Sequence, residues 1–134
     1  MEVMLDTNVL FSAIFFPSER MNGLFALLTK NHSIVLCSYS FEELYRITKR
    51  KMPQGLPAVD IFLQKLPYRF VYTPRSDLIE ANFNLRDAAD YPIILSAVTA
   101  DVDILITGDH DFDDVELEKP EIMTPLEFIN TYGV

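Results

Sequence analysis

The sequence predicts an α/β chain, a three-layer α/β/α sandwich on a five-stranded parallel sheet. Three observations carry this. Five short runs rich in Val, Ile, Leu, Phe and Tyr recur along the 134 residues. At least the first, second and fourth are apolar without alternation, as in strands covered on both faces. Helix-like segments separate the runs, and strand–helix alternation implies right-handed βαβ crossovers.

The strands are expected at Glu2–Asp6, Ser33–Cys37, Arg69–Thr73, Asp103–Thr107 and Glu121–Thr124. The first helical segment is Ser18–Lys30, which opens on Ser-Glu and places Met21, Leu24, Phe25 and Leu28 at helical spacing. Ser40–Lys51 follows, where Ser40 with Glu43 three residues on reads as a capping box. Gly55–Leu66 carries Val59, Phe62, Leu63 and Leu66, after a break at KMPQGLP. Ser76–Phe83, Asp90–Ala100 and Thr124–Tyr132 complete the helices. No repeat or composition shift marks a second domain, so residues 1–134 are read as one.

Composition narrows the function. A hydrophobic content of 49% with 23% charged residues describes a folded globular chain. The net charge of −9 argues against a nucleic-acid partner, unless much of the acidity is gathered in a metal site. The lone Cys37 lies inside IVLC and reads as a small buried hydrophobe. The longest apolar stretch, YPIILSAVTADVDILIT, is interrupted by Asp101 and Asp103 and is too short to cross a bilayer. With Glu2 and Asp6 at its head, the chain lacks the basic start of a signal peptide. A cytoplasmic protein without membrane contact is the expectation.

Four acids carry the chemistry. Asp6 in EVMLDTNVL and Asp109 in DILITGDHDF end strands; Glu43 in SYSFEELYR and Asp90 in RDAADYPIIL start helices. In a parallel sheet such ends converge, and ligands gather beyond them where strand order reverses. Two unit charges about 4 Å apart repel by roughly 4 kcal/mol at an effective dielectric near 20. Protonation or a divalent ion must relieve a cluster of four. Hard oxygen donors without Cys or His suit Mg²⁺ or Mn²⁺, the ions of phosphodiester cleavage.

Blander readings compete at each position. Asp6 and Asp109 fit turn acids, Glu43 the capping box, and Asp90 a helix N-terminal acid. Lys49-Arg50-Lys51 reads first as a solvated helix end; with Arg46, Lys65, Arg69, Arg75 and Arg86 it could also grip phosphates. Phe15, Phe16 and Tyr39 read as core before they read as base-stacking groups. A calcium-loop reading of DHDFDDVELE fails, because Asp114 stands at the sixth position and Pro120 at the twelfth. A D-x-D phosphatase is weakened by Asn8 at the second Asp position.

The ordered set LDTNVLFSAI, EELYRITKR, RDAADYPIILSA and ITGDHDF resembles the PIN-domain family, in its VapC-like toxin branch. The resemblance runs nearly end to end and implies a Rossmann-like PIN fold. It also implies a Mg²⁺- or Mn²⁺-dependent endoribonuclease acting on single-stranded or loop RNA. Such a protein would be held by a cognate antitoxin and would form a homodimer. By this resemblance Asp6, Asp90 and Asp109 bind metal, while Glu43 binds it through water or acts as general base. Thr7, Asn8 and Thr107 support the site, and Asp87 and Asp111 are further acidic candidates. A catalytically inactive PIN fold that binds RNA or protein is the alternative, and a DNA nuclease of the same fold a third reading.

Overall fold

The computed structural model describes residues 1–75, 92–109, 112 and 117–133. Strands β1 (Glu2–Leu5), β2 (Ser33–Cys37), β3 (Arg69–Val71), β4 (Ile104–Ile106) and β5 (Glu121–Met123) form one sheet of order β3-β2-β1-β4-β5. Every pairing is parallel, with Val3 beside Ile34 on one flank and beside Ile104 on the other. The five predicted strands are therefore present, each trimmed by at most two residues at an end. The helices are α1 (Thr7–Phe15), α2 (Glu19–Asn31), α3 (Ser38–Lys51), α4 (Leu56–Lys65), α5 (Pro92–Thr99) and α6 (Pro125–Tyr132). A 3₁₀ turn at Pro53–Gly55 separates α3 from α4.

Side-chain parity divides the core. Val3, Leu5, Ile34, Leu36, Ile104 and Ile106 point to one face and pack with Leu24, Leu28, Leu44, Val59 and Phe128 from the helices there. Met4, Val35, Cys37 and Leu105 point to the other and meet Ile93, Ile94 and Ala97 of α5. Both faces are covered, which is why the strands lack alternation. The chain winds outward from β1 to β3, then returns to β4. Right-handed crossovers put the connections before and after that return on opposite faces. The order therefore reverses at the β1–β4 boundary, the topological switch point.

Several local expectations need correction. Helix α1 was not among the segments read from the pattern. Its residues TNVLFSAIF are apolar around nearly the whole circumference, so no amphipathic stripe announces it. The Ser40–Glu43 capping box is absent. Strand β2 runs straight into α3 at Ser38, so Ser40 lies within the first turn, buried with its Oγ 3.4 Å from Cys37 Sγ. A capping box does form at α6: Thr124 Oγ1 accepts the Glu127 N–H at 3.1 Å, and Glu127 Oε1 accepts the Thr124 N–H at 3.2 Å. Phe16 is 63% exposed instead of packed in the core. The segment Ser76–Phe83 lies outside the described residues. Among the described residues no helix is long and apolar enough to cross a membrane.

Gly55 is closely packed, and a larger residue there would displace a ring. Phe15 lies over it, and a Cβ there would sit 2.5 Å from the ring. The break after α3 thereby rests directly on α1.

Candidate metal and catalytic site

Asp6 follows β1 and is the N-cap of α1, with extended backbone at φ −74° and ψ 159°. Its Oδ1 accepts the N–H of Thr7, the first residue of the helix, at 2.7 Å, satisfying one donor of the first turn. Its Oδ2 accepts the Thr107 hydroxyl at 2.7 Å, from the residue just past β4. Its own N–H donates to the Ile106 carbonyl at 3.0 Å, extending the β1–β4 ladder. Strand pairing and helix capping together leave this carboxylate little freedom. It is only 6% exposed.

The loop after β4 is built against the start of α1. Asn8 Oδ1 accepts the Gly108 N–H at 3.2 Å, and Thr107 Oγ1 accepts the Asp109 N–H at 3.0 Å. The Thr7 hydroxyl is buried without a hydrogen-bond partner among the described residues. On α3, Glu43 Oε2 accepts the Tyr39 hydroxyl at 2.6 Å and faces the Arg46 guanidinium at 3.4 Å.

Asp6, Glu43 and Asp109 line one cleft of about 300 Å³ beyond the carboxyl ends of the strands. Asn8, Tyr39, Phe11, Ile47, Lys51, Pro92 and Phe112 complete most of its wall. Burial pushes the Asp6 carboxyl above the usual carboxylate range. The Thr107 and Thr7 hydrogen bonds oppose that rise, whereas the charges on Glu43 and Asp109 add to it. Burial, with the bond to Glu43, raises the Tyr39 phenol to about 12, so it stays a donor through neutral pH.

Three of the four predicted acids are thus brought together from β1, β4 and α3. Asp90, with Asp87 and Asp111, lies outside the described residues. Among the described residues, no three acidic, His or Cys side chains are close enough to form a metal cluster by themselves. The donor set nevertheless fits a hard divalent cation: carboxylate oxygens from two strand ends, one of them buried with no cationic partner among the described residues.

Two cleft residues were not legible as such. The sequence places Tyr39 in the core before it reads as a base-stacking group, and Lys51 on a helix end that reads as solvated before it reads as a phosphate grip. The signal that finds them is the helix itself: Tyr39, Glu43, Ile47 and Lys51 are spaced by four and form one stripe along α3. A further junction lies at the cleft's rim. Thr73 Oγ1 accepts the Tyr39 N–H at 3.0 Å and hydrogen-bonds Ser96 Oγ of α5 at 2.9 Å. The Thr73 N–H donates to Ser38 Oγ at 2.9 Å.

Comparison with solved structures finds the same fold in two other proteins. The VapBC2 structure from Rickettsia felis, bound to a DNA fragment from its promoter, superposes with a TM-score of 0.66 at 22% identity. That match covers 92% of this chain and 97% of that one. VapC20 of Mycobacterium tuberculosis, a toxin that cleaves the sarcin–ricin loop, superposes with a TM-score of 0.54 at 13% identity. It covers 83% of this chain and 92% of that one. No curated protein matches the sequence. The family profile described as the PIN domain matches residues 2–111, from β1 through the loop that follows β4. The chain belongs to the PIN-domain family.

Proposed function

We propose that this PIN domain is a Mg²⁺- or Mn²⁺-dependent endoribonuclease and the toxin half of a toxin–antitoxin pair. The observation that carries the reading is the Asp6 carboxylate, buried at the switch point with Glu43 and Asp109 on the same cleft. A charge kept there without a cation is costly, and a divalent ion answers it. The family supports a nuclease role, the likeness to the sarcin–ricin-loop-cleaving VapC20 supports RNA as substrate, and the likeness to the VapBC2 complex supports an antitoxin as partner. A homodimer and a cytoplasmic location complete the proposal.

In this reading Asp6, Asp109 and Asp90 hold the ion, with Asp87 and Asp111 as outer acids. When bound, the ion supplies positive charge to the phosphate oxygens and acidifies its water. Thr107 and the Thr7 N–H fix the Asp6 oxygens, and Asn8 fixes the loop that carries Asp109. Both hydrogen bonds that Glu43 makes among the described residues fall on Oε2, so Oε1 is the atom assigned to orient the attacking water. Tyr39 and Arg46 keep that carboxylate in place.

The test is Mg²⁺ or Mn²⁺ titration by calorimetry on wild type and Asp6→Asn, followed by cleavage of single-stranded RNA with and without EDTA. Saturable binding lost in the variant, with cleavage abolished by EDTA, is the expected result. RNA binding without metal-dependent cleavage would instead make the chain a non-catalytic PIN module. Preferential cleavage of DNA oligonucleotides in competition would move the substrate to DNA.

A further inference from the structure

From the α3 stripe we infer that the groove between α1 and α3 is the track of the single-stranded substrate, with Lys51 as the contact to a phosphate distant from the cleaved one. The inference rests on the nuclease reading above. The groove has two chemically different ends. Asp6, Glu43 and Asp109 lie at one, beyond the strand ends, and Lys51 at the other, in the last turn of α3. Between them Phe11 of α1 and Ile47 of α3 supply an apolar wall.

The spacing suits a strand laid along the helix. Eight residues separate Glu43 from Lys51, about 12 Å of helix axis. A single strand covers that in a few nucleotide steps, given a rise of about 3.4 Å when stacked. A phosphodiester at the acidic end therefore leaves a later phosphate beside the Lys51 ammonium. Phe11 and Ile47 then meet the intervening sugar and base faces, a contact indifferent to base identity.

Charge favours nucleic acid over an apolar peptide as occupant. Lys51 is the cationic residue among the described residues lining a cleft with three acids, and a substrate phosphate is the anion that the nuclease reading brings beside it. Among the described residues Lys51 makes no ion pair that would explain it structurally. Lys49 and Arg50 are exposed in the same turn but do not line the cleft. Lys51 is thus distinguished from its neighbours by position alone.

The experiment measures binding of a fluorescein-labelled single-stranded RNA of mixed sequence across a salt series. It uses Asp6→Asn, and Asp6→Asn combined with Lys51→Ala, Lys51→Arg or Lys49→Ala. One lost phosphate contact lowers the slope of log K against log salt by about 0.7 for single strands, or about 5-fold in affinity at 0.1 M salt. Lys51→Ala is expected to show that loss, Lys51→Arg to restore it and Lys49→Ala to leave the slope unchanged. In the otherwise wild-type enzyme, Lys51→Ala is expected to raise KM with kcat kept. An unchanged slope for Lys51→Ala, or an equal loss for Lys49→Ala, overturns the track. Absence of RNA cleavage by wild type would sink the nuclease reading, while the salt slopes still decide whether Lys51 touches the strand.

Discussion

Thr107 and Asp6 stand 101 residues apart and are joined by a 2.7 Å hydrogen bond at the boundary between β1 and β4. Thr107 is 2% exposed, and the same oxygen accepts the Asp109 N–H. One hydroxyl thus serves two acids of the candidate site. Thr107→Val keeps the shape and leaves Asp6 Oδ2 and the Asp109 N–H unsatisfied. A loss of about 1–3 kcal/mol in stability is expected. Urea denaturation checks it, with Thr107→Ser retaining most of the wild-type value. A Val variant as stable as wild type would show that water replaces the hydroxyl.

Asp6 predicts a contrast between two substitutions. Asn is as good an N-cap as Asp, and its amide can donate to Thr107 while its oxygen accepts the Thr7 N–H. Ala removes the cap and costs about 1 kcal/mol. Because burial raises the folded-state pKa above the ordinary value, the folded state binds the extra proton. Stability from this group is therefore greatest below the ordinary carboxylate range and falls as pH rises through the raised value. Asp6→Asn should melt at or above wild type in EDTA at neutral pH, with the difference shrinking on acidification. Asp6→Ala should melt below both.

Tyr39 holds Glu43 by a single short bond. Tyr39→Phe removes it while keeping the ring in the cleft. Hydrogen bonds to charged groups contribute about 1.5–3 kcal/mol, so kcat should fall about 10-fold or more, with KM little changed. Steady-state kinetics on one RNA substrate decide this. A rise in KM alone would mean that the phenol touches substrate and does not position Glu43.

Alkaline titration offers a test independent of function. Of the six tyrosines, Tyr39 and Tyr45 are each raised to about 12, by burial and by donation to Glu43 and Asp60 respectively. A raised pKa means stability that is intact below pH 10 and lost as pH climbs through 12. Phenolate absorbance should show a late-titrating class that coincides with unfolding. In Tyr39→Phe that class should shrink by one residue.

The sheet was legible because its inner strands β1, β2 and β4 are buried on both faces: Val3, Met4 and Leu5 alternate between two cores yet read as one apolar run. Helix α1 was hidden because most of TNVLFSAIF is apolar, and its Asn8 and Ser12, which line the cleft, are too few to set a polar period. Ser40 misled because a sequence shows Ser and Glu at cap spacing without showing that β2 passes into α3 with no intervening loop. Asp6 and Asp109 were legible as acids just past apolar strands, and Glu43 as an acid near the start of the helix after β2, although each position also has a structural reading. Lys51 was legible only as one of several basic residues that could grip phosphates, because its distance from Glu43 acquires meaning only along a helix whose facing wall is α1.

Thr73 bears on how the cleft keeps its width. Its backbone and hydroxyl fasten the start of α3, which carries Tyr39 and Glu43, and its hydroxyl also grips Ser96 of α5, the helix that brings Pro92 and Ile93 to the opposite wall. The two walls are therefore hinged to a common post just beyond the outermost strand, while the floor is set by β1 and β4. Slack at that post would let the walls part with the floor unmoved, so the gap between them is governed from the sheet's margin.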